Sequence, residues 1–446
     1  MKKYDLIVIG AGPGGITVAR FTKSLRKEWN VLIIRKQKKS VIPCALPYAI
    51  DGTVKVDDYI KNDEKLLKSA GIDLLIDEVE EIDCENKQVK IKNGEKFNFR
   101  YLVIATGSIP FIPLLPGREL KNIFTIKDHP DILNILDVIG NVKKAVVVGA
   151  GFIGLEMVNA FANRGIEITL VEKENCCLPA GLSRDLAGII TDKLKEKGVK
   201  LYLGKLLKKI EGEGKVERCI LEDGTVIKTD IVVLSIGVKP EISLAEKAGI
   251  ETNPGGIIVN DFLQTNKEGI YAIGDCILKK SFITGKYVPG YLATNAVVEA
   301  RYAVLNILNG NKFKFPGVVN PVITKIFDLS CGATGLTKDM AERENIEIIT
   351  SDADVFTKEK SFPGAEFLKI RFIFEKEKLQ LIGVEAISKE NVAWLINMFT
   401  LAIFNKNTAF DLTFSQFCGH PPQIDVPSKT PFVTASIDVL KKAGRI

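Results

Sequence analysis

Continuous apolar runs alternate with helix-like periodic segments along much of the chain. Asp5 to Ile9 and Ala145 to Val148 are runs of β-branched and aliphatic residues, each followed by a glycine-rich turn and an apolar-periodic helix. A further apolar run closes each unit, at Val31 to Ile34 and at Ile168 to Val171. Buried-type strands that alternate with helices are typical of parallel sheets covered by helices, so the pattern predicts an α/β fold.

The two units form an internal repeat, because each carries a GxGxxG turn at the same point. The glycines are Gly10, Gly12 and Gly15 in the first unit and Gly149, Gly151 and Gly154 in the second. Between a strand and a helix, such glycines permit a tight turn, let the backbone approach a pyrophosphate and allow the helix to pack on the strand. The phosphates then lie at a helix N-terminus, which favours negative charge. The repeat predicts two Rossmann-like dinucleotide-binding domains.

Other glycine and proline turns divide the chain further. The proline-rich segment Ile109 to Gly117 is a natural crossover between domains, and Gly310 to Pro321 has the composition of a linker. After the linker, β-type runs such as Phe367 to Phe374 precede a long apolar helix, which indicates an α+β domain. We predict a discontinuous first domain at residues 1–112 and 246–318, a second domain at 113–245 and a third domain at 319–446.

Composition and charge argue against several classes of protein and site. The 446 residues are 46% hydrophobic and 26% charged, with a net charge of +6, which is ordinary for a globular protein and offers little support for nucleic-acid binding. The eight cysteines show no CxxC or CxxH spacing, so neither a metal site nor a disulfide framework is indicated. The apolar stretch Val392 to Phe404 has the length of a core helix. We expect a cytoplasmic protein without metal or membrane contact.

Five motifs, in this order along the whole chain, resemble the FAD- and NAD(P)H-dependent pyridine nucleotide-disulfide oxidoreductases. They are the first GxGxxG turn, Ala105-Thr106-Gly107-Ser108, the second GxGxxG turn with Glu156, Gly237-Val-Lys-Pro240 and Tyr271-Ala-Ile-Gly274-Asp275. Two-cysteine members of that family carry their redox cysteines four residues apart, and this chain lacks such a pair. Ser40 to Tyr48 is instead similar to the SxxxCxLPY element of single-cysteine members, namely coenzyme A disulfide reductases and flavin NADH oxidases or peroxidases.

The resemblance identifies Cys44 as the redox cysteine. A disulfide must be attacked by reduced flavin or by a thiolate held against it, so one low-pKa cysteine near the flavin is sufficient. In the family, the matching cysteine alternates between a thiolate and either a mixed disulfide or a sulfenic acid. The other cysteines are expected to be inert, although the third domain also offers Cys331 and Cys418.

The two nucleotide sites differ at the end of the second strand. In the second unit this strand ends at Glu172, where a carboxylate can bind an adenosine ribose and repel a 2′-phosphate, so NADH is favoured over NADPH. The equivalent position of the first unit is Arg35, so the usual ribose carboxylate of the FAD site is missing. FAD remains the expected ligand of the first unit, with unusual adenosine contacts. By resemblance, Asp275 holds its ribityl or phosphate end.

The resemblance also implies contacts around the flavin ring. A helix that begins at Leu292-Ala293-Thr294 points its N-terminus at the flavin, where its dipole can stabilise the anionic reduced form. Phe152 covers the flavin until nicotinamide displaces it, and Glu156 lies near the nicotinamide. The complete set of predicted cofactor contacts is Gly10, Gly12, Pro13, Gly14, Gly15, Arg35, Ala105, Thr106, Gly107, Gly149, Gly151, Phe152, Ile153, Gly154, Glu156, Glu172, Gly237, Gly274, Asp275, Leu292, Ala293 and Thr294.

The third domain resembles the dimerisation domain of the family, which brings a loop to the active site of the partner subunit. The matching stretch, Phe417 to Pro422, has His420 where coenzyme A disulfide reductases commonly have a tyrosine. Histidine titrates near neutral pH and can protonate a leaving thiolate, so His420 is the predicted cross-subunit acid. His129, at a turn that resembles a helix start, is expected to be structural.

Several electron acceptors are compatible with these residues. The leading prediction is a homodimer that uses NADH to reduce a small-molecule disulfide or persulfide through FAD and Cys44. The basic run Arg35 to Lys39 suits a polyanion such as coenzyme A, whereas Pro43 replaces the family's asparagine and argues against that substrate. The alternatives are an NADH oxidase that reduces dioxygen to peroxide or water, and an NADH-dependent reductase of a small electron carrier such as rubredoxin.

Overall fold

Strands and helices alternate along the first two thirds of the chain, as the hydrophobic pattern predicts. The computed structural model describes residues 2–446. The segment before the crossover contains β1 (Lys3–Ile9), α1 (Pro13–Leu25), β2 (Val31–Arg35), β3 (Ser40–Val41), α2 (Leu46–Ile50), β4 (Ile60–Lys61), α3 (Asp63–Ser69), β5 (Asp73–Ile76), β6 (Val79–Asp83), β7 (Gln88–Ile91), β8 (Lys96–Ile104) and β9 (Ser108–Pro110). The next segment contains β10 (Ile123–Phe124), α4 (His129–Ile139), β11 (Lys144–Val148), α5 (Phe152–Asn163), β12 (Glu167–Glu172), α6 (Arg184–Glu196), β13 (Lys200–Leu203), β14 (Leu207–Glu211), β15 (Arg218–Leu221), β16 (Val226–Lys228), β17 (Ile231–Leu234) and β18 (Val238–Pro240).

The remainder of the chain first returns to the first sheet and then builds a separate one. The return segment contains α7 (Ser243–Lys247), β19 (Thr252–Asn253), β20 (Gly256–Ile257), β21 (Ile270–Ala272), β22 (Lys279–Lys280), β23 (Tyr287–Val288) and α8 (Ala293–Asn309). The last segment contains β24 (Val322–Ile326), β25 (Leu329–Gly335), α9 (Lys338–Arg343), β26 (Ile348–Phe356), β27 (Phe367–Glu375), β28 (Leu381–Ser388), α10 (Ala393–Phe404), α11 (Ala409–Thr413) and α12 (Pro431–Lys442). Short 3₁₀ turns lie at Pro43–Ala45, Gly274–Cys276 and Pro427–Lys429.

The first sheet has the strand order β5–β2–β1–β8–β7–β6, and β21 pairs with β8. Its central strands are parallel, with Ile9 opposite both Ile34 and Ile104. Their aliphatic side chains are buried on both faces, as expected for a sheet covered by helices. Helices α1 and α8 pack against each other beside it, which explains why the chain must return to this domain after building the next one.

The second sheet repeats the plan of the first. Its strands are parallel in the order β10–β17–β11–β12–β13. Val148 lies opposite Val171 in this sheet, as Ile9 lies opposite Ile34 in the first. The Gly149 amide donates to the Val171 carbonyl at 2.8 Å, and the Gly10 amide donates to the Ile34 carbonyl at the same distance. The two glycine turns are therefore structurally equivalent.

The third sheet is antiparallel, in the order β24–β25–β28–β27–β26. Helices α10 and α12 pack on it, while the outer face of α10 leaves Trp394, Met398 and Leu401 exposed. Between Lys2 and Ile446, no helix is both long enough and apolar enough to cross a membrane. The predicted combination of two Rossmann-like folds with an α+β domain is confirmed, and the predicted domain limits stay predictions.

One segment packs outside the sheet that it belongs to in sequence. Residues 42–60 follow β2 of the first sheet, yet Leu46, Ile50 and Tyr59 are buried in the same apolar core as Leu155 and Phe161 of α5. This core continues into the third sheet. The segment that carries Cys44 therefore packs against the second and third parts of the molecule.

Candidate active site

In the first glycine turn, an added Cβ would collide with backbone at Gly10 and Gly15, whereas Gly12 faces open space. Gly10 has a positive φ of 108°, and a Cβ there would lie 2.2 Å from the Ala105 carbonyl oxygen. A Cβ on Gly15 would lie 2.0 Å from the Gly10 carbonyl oxygen. By contrast, a Cβ placed on Gly12 or on Gly107 would have no atom within 4 Å among residues 2–446, apart from those of the glycine and its two chain neighbours. These positions present bare backbone toward open space, as a pyrophosphate site requires.

Both glycine turns lead into helices that offer free backbone donors. Gly12 is the N-cap of α1 and Gly151 is the N-cap of α5, and no side chain in the described part of the chain caps either helix. Pro13, the first residue of α1, has no amide hydrogen to leave unpaired. The amides of these first turns are thus available for an anion, and the helix dipoles favour negative charge there.

Glu172 is buried at the end of β12 rather than exposed to water. Its carboxylate accepts hydrogen bonds from the Ala150 amide at 2.6 Å and from the Glu174 amide at 2.8 Å. The acid is thereby fixed against the second glycine turn, where an adenosine ribose is predicted to bind. At the equivalent end of β2, the side chain of Arg35 is also buried.

Asp275 lies on the 3₁₀ turn that follows β21, and its orientation is fixed from two sides. The Ser108 hydroxyl donates to its Oδ2 at 2.8 Å, and Lys127 donates to the same hydroxyl at 3.1 Å. Behind the turn, a buried ion pair of 2.6 Å joins Lys279 to Glu299. Lys279 also donates to the Gly274 carbonyl, and Glu299 accepts from the Gly274 amide, both at 2.7 Å.

The sequence did not predict this support of Asp275, although Ser108 belongs to the motif Ala105-Thr106-Gly107-Ser108. Ser108, Lys127, Lys279 and Glu299 stand far apart along the chain, and local patterning does not connect them. The one available signal was Glu299, an acid on the face of α8 that buries alanines and valines. Helix α8 begins at Ala293 with Leu292 as its N-cap, so its start is where the sequence predicts it.

Two other predicted cofactor contacts take part in bonds between segments. The Thr106 hydroxyl donates to the Glu241 carbonyl at 2.7 Å, which ties the end of β8 to the turn after β18. Gly237 has a positive φ of 110°, and its carbonyl accepts from the Phe111 amide. Both bonds lie beside the short ribbon of β9 and β18, where the chain passes between the first and second sheets.

Cys44 is exposed on the 3₁₀ turn Pro43–Ala45, directly before α2. The chain nevertheless surrounds its sulfur closely enough that partial burial raises the pKa of the thiol, and the negative charge of Glu156 raises it further. A hydrogen bond to backbone and the positive charge of Lys61 act in the opposite direction, with smaller effects. In the protein without its cofactor, burial and the carboxylate thus outweigh the groups that stabilise the thiolate. A low pKa for Cys44 beside the flavin stays a prediction.

Glu156 is the titratable group with the largest charge effect on Cys44. It lies in α5, and Thr324 of β24 donates a hydrogen bond of 3.1 Å to its carboxylate. Burial raises the pKa of Glu156 to about 7, against a smaller lowering by Thr324. Phe152 lies one turn earlier in α5, and its ring packs against Gly181. A Cβ added to Gly181 would lie 2.7 Å from the edge of that ring.

The segment after Cys44 is fastened to the second domain at three points. Arg164 donates through Nε to the Ile50 carbonyl at the end of α2, and Asn163 donates to Asp51 at 2.6 Å. The Tyr59 hydroxyl and Nδ1 of His129 are 2.8 Å apart. His129, the first residue of α4, is a structural link here, as the sequence predicts, and it acts together with a capping box between Asp128 and Asp131.

The candidate residues of the third domain differ sharply in their surroundings. Cys331 is sealed in the core on β25, and burial raises its pKa to about 12, so it cannot serve as a second redox thiol. His420 and Cys418 lie on the exposed stretch 414–423. All eight cysteines in the described chain are free, and no disulfide competes for Cys44.

The residues present fit FAD in the first glycine turn. The open side of Gly12, the uncapped start of α1 and the fixed carboxylate of Asp275 provide an anion site next to a polar anchor. The second turn offers the same anion site with Glu172 in place for a ribose. The two glycine turns therefore suit two dinucleotides.

Comparison with known protein families gives two matches that together span most of the chain. Residues 4–300 match the model of the pyridine nucleotide-disulphide oxidoreductases. Residues 322–430 match the model of the dimerisation domain of that family.

Individual relatives align along nearly the whole length. A protein named NADH oxidase from Methanocaldococcus jannaschii is 37% identical over 98% of this chain and 98% of its own. A CoA-dependent NAD(P)H sulfur oxidoreductase from Pyrococcus abyssi is 33% identical over 94% of this chain and 95% of its own. Among solved structures, an NAD-dependent persulfide reductase from A. fulgidus superposes with a TM-score of 0.93 at 30% identity, covering 98% of this chain and 84% of that one.

Proposed function

The chain belongs to the pyridine nucleotide-disulphide oxidoreductase family, and on this basis we propose that it is an NADH-dependent flavoprotein that reduces small-molecule disulfides or persulfides through Cys44. The family uses FAD and a nicotinamide nucleotide. Relatives named as sulfur and persulfide reductases support this acceptor class.

The position of Cys44 is the observation that carries the proposal. The thiol is exposed at the start of α2, while the rest of its segment is fastened to the second domain through Ile50, Asp51 and Tyr59. An exposed sulfur on a fixed support can meet a disulfide from solution while the rest of its segment stays in place. A merely structural cysteine needs neither the exposure nor the support.

Bound FAD supplies the chemistry that accepts a hydride from NADH and passes two electrons on toward sulfur. The thiolate of Cys44 attacks one sulfur of the substrate RS–SR, forms a mixed disulfide and releases RS⁻. Two electrons from NADH then break the mixed disulfide, which releases the second RS⁻ and restores the thiolate. The sum is RSSR + NADH + H⁺ → 2 RSH + NAD⁺.

Other residues of the chain have assigned parts in this proposal. Glu172 binds the adenosine ribose of NADH, and its negative charge opposes the 2′-phosphate of NADPH. Phe152 covers the nicotinamide site until the nucleotide enters. Glu156, with a pKa of about 7, can hold or release a proton close to the Cys44 thiol near neutral pH.

We also propose that the chain acts as a homodimer. The dimerisation-domain match and the exposed apolar side chains Trp394, Met398 and Leu401 on α10 support a second copy on this face. In such a dimer the exposed stretch 414–423 delivers His420 to the partner subunit, where it protonates the leaving thiolate. A cytoplasmic location stays a prediction from the sequence.

Anaerobic turnover tests the proposal. FAD-loaded protein is mixed with NADH and, in turn, coenzyme A disulfide, polysulfide or glutathione disulfide, and the absorbance of NADH is followed. We expect rapid turnover with at least one acceptor, loss of that turnover in Cys44→Ser, and full retention in Cys418→Ser, which removes the other exposed cysteine. Equal turnover by wild type and Cys44→Ser would exclude Cys44 as the substrate partner.

The second candidate is an NADH oxidase, supported by the relative of that name from M. jannaschii. In this function Cys44 handles a peroxide, and NADH is consumed only in air. The acceptor of the wild type separates the two enzymes, because only the reductase consumes NADH with a disulfide in the absence of air. The third candidate, a reductase of a carrier protein, would reduce rubredoxin at an unchanged rate in Cys44→Ser, since docking of a protein does not need the thiol.

A further inference from the structure

We propose that the third domain keeps the nicotinamide site open, by holding Gly181 at the place where the ring of Phe152 lies when it is withdrawn from the nucleotide. The inference deepens the proposed function and rests on NADH as the ligand of the second glycine turn. It gives positioning roles to Gly181, Ser183 and Glu385, none of which is among the predicted cofactor contacts. Residues 178–183 are called the Gly181 loop below.

The Gly181 loop lies directly beside the second glycine turn. It begins at Leu178, whose amide donates to the carbonyl of Ala150 at 2.9 Å. Leu178 has a positive φ of 49°, and its carbonyl accepts from the amides of Gly181 and Leu182 at 2.8 and 3.0 Å. These bonds close a tight turn, so Gly181 is fixed against the residues that lead into α5.

The third domain holds the last residue of this loop. The amide and the hydroxyl of Ser183 both donate to the carboxylate of Glu385, and the hydroxyl bond is 2.6 Å long. Glu385 lies on β28, and both residues are fully buried. Bonds to a buried carboxylate are strong, because the charge strengthens them and water does not compete. The loop therefore has one firm attachment to the third sheet.

The two residues that follow the loop are bonded to the third domain as well. The amide of Arg184 donates to Asp339 at 2.9 Å. Arg371 of β27 donates twice to Asp185, at 2.7 and 2.8 Å. Three consecutive residues thus contact the third domain, so the position of the Gly181 loop depends on that domain.

The ring of Phe152 points end-on at Gly181. The three atoms nearest to a Cβ placed on Gly181 are all in this ring, with Cζ at 2.7 Å and Cε1 and Cε2 at 3.5 Å. Gly181 does not have a positive φ, so its backbone tolerates alanine. Glycine is therefore required here by the ring and not by the conformation of the chain.

A ring displaced from Gly181 has one open direction. Phe152 packs against a core that contains the buried side chains of Leu155 and Leu182, and a filled core has no space for a moved ring. On the other side, a Cβ placed on Gly151 would meet no atom within 4 Å beyond its chain neighbours. The displaced ring therefore turns into the open space at the glycine turn, where the nucleotide is proposed to bind.

The two halves of NADH should respond differently to this movement. The adenosine half is assigned to Glu172, whose carboxylate is held by the amides of Ala150 and Glu174 and not by the ring. The nicotinamide half is the one that Phe152 can obstruct. Holding Gly181 in place thus lets the third domain favour nicotinamide binding without contacting the nucleotide.

Calorimetric titration of the FAD-loaded protein tests the inference without turnover. One ligand is tetrahydro-NAD, an analogue of NADH that cannot transfer hydride, and the other is ADP-ribose, which lacks the nicotinamide ring. We expect Gly181→Ala to bind the analogue about fivefold more weakly, because the ring is forced from its place, and to bind ADP-ribose as wild type does. Gly188→Ala is the matched control and should bind both ligands normally, since its Cβ meets no atom in α6.

A second set of variants tests the part played by the third domain. Ser183→Ala and Glu385→Gln should weaken binding of the analogue but not of ADP-ribose. Adding Phe152→Ala should abolish this loss in each of them, and in Gly181→Ala, because no ring remains to obstruct the site. Asp328→Asn breaks a different bond between the same two domains, the ion pair of 3.2 Å with Lys193, and should leave both affinities unchanged.

Several results would overturn the inference. Equal weakening of both ligands in Gly181→Ala would mean that the glycine turn itself is damaged. A loss that persists after Phe152→Ala would exclude the ring as its cause, and normal binding in both Ser183→Ala and Glu385→Gln would exclude the third domain. Where Glu385→Gln unfolds early, Ser183→Ala keeps the amide bond and supplies the comparison.

Failure of the proposed function gives a different result. If wild type binds neither tetrahydro-NAD nor ADP-ribose, the second glycine turn is not a nucleotide site and the proposed function fails. If wild type binds both and every variant binds them equally well, only the role of the Gly181 loop is wrong.

Discussion

Thr324 of the third domain donates a hydrogen bond of 3.1 Å to the carboxylate of Glu156 in the second domain. Glu156 in turn is the acid whose charge raises the pKa of Cys44. Since burial brings the pKa of Glu156 to about 7, its charge changes within the range of pH at which cells operate. The reactivity of the cysteine is thus coupled to a group held between two domains.

Replacing Glu156 by glutamine should make Cys44 more reactive above neutral pH. The ionised carboxylate opposes formation of the thiolate, so its removal lowers the pKa of the thiol and increases the thiolate fraction. At pH 8 we expect alkylation of Cys44 by iodoacetamide to be about threefold faster in Glu156→Gln. Mass spectrometry of the Cys44 peptide gives the rate. At pH 6, where Glu156 is mostly protonated, the two proteins should react alike, and a difference that persists there contradicts the electrostatic explanation.

Replacing Thr324 by valine should move this pH dependence upward. The Thr324 hydroxyl stabilises the ionised form of Glu156, so its loss raises the pKa of Glu156 further. The inhibition of Cys44 alkylation by Glu156 should then set in at a higher pH than in wild type. The double variant Thr324→Val with Glu156→Gln is the control, because it should behave like Glu156→Gln alone.

The hydroxyl of Tyr59 should contribute measurably to the stability of the cysteine segment. Tyr59 is fully buried, and its bond to His129 joins this segment to the second domain. We expect Tyr59→Phe to lower the free energy of unfolding by about 1 kcal/mol, the usual net value of such a bond. Urea unfolding of the apoprotein measures it. Tyr287→Phe, at an exposed tyrosine, should leave stability unchanged.

Substitution by alanine should be damaging at one helical glycine, Gly154, and stabilising at another, Gly188. A Cβ on Gly154 would lie 1.9 Å from the Gly149 carbonyl oxygen, so Gly154→Ala should disrupt the second glycine turn and abolish tight NADH binding. Gly188 lies in α6 with no described atom near its Cβ position. Gly188→Ala should therefore stabilise the protein by about 0.5–1 kcal/mol through helix propensity alone. Thermal unfolding and NADH titration distinguish the two effects, and a tightly binding Gly154→Ala would refute the packing argument.

A charge on the outer face of α10 should prevent dimer formation. Leu401 is 62% exposed there, and burial of a carboxylate in a subunit interface is unfavourable. We expect Leu401→Glu to be monomeric by light scattering at concentrations where wild type is dimeric. Leu114→Glu carries the same substitution at a leucine that is 87% exposed in the crossover segment, and it should remain dimeric. Monomeric wild type would contradict the proposed assembly.

The sequence was sufficient for features that depend on neighbouring residues. The glycine turns at Gly10 and Gly149 could be predicted because turn, strand and helix signals stand side by side in the chain. The flanking residues of Cys44 distinguish it from the other seven cysteines, and its redox role stays a prediction. Glu172 could be placed at a strand end for the same reason.

Features that depend on contact between distant segments could not be predicted. The pKa of Cys44 depends on burial of its sulfur and on the charge of Glu156, which is itself buried and bonded to Thr324. Glu156 and Thr324 each lie more than a hundred residues further along the chain. The hydrogen bond from Ser108 to Asp275 joins two distant segments of the predicted first domain, and Lys127 of the predicted second domain donates to Ser108. Local sequence patterns do not show which distant residues are in contact. The ionisation of the site residues therefore could not be predicted from the sequence alone.

The buried position of residues 42–60 limits which domains can be exchanged between proteins of this fold. By sequence this segment belongs with the FAD-binding half, yet Leu46, Ile50 and Tyr59 complete the core of the neighbouring nucleotide domain. A chimera that imports a foreign second domain and keeps the original cysteine segment will join mismatched surfaces within the segment that carries Cys44. Recombination that preserves activity must therefore transfer both pieces together, although they are not contiguous in the gene.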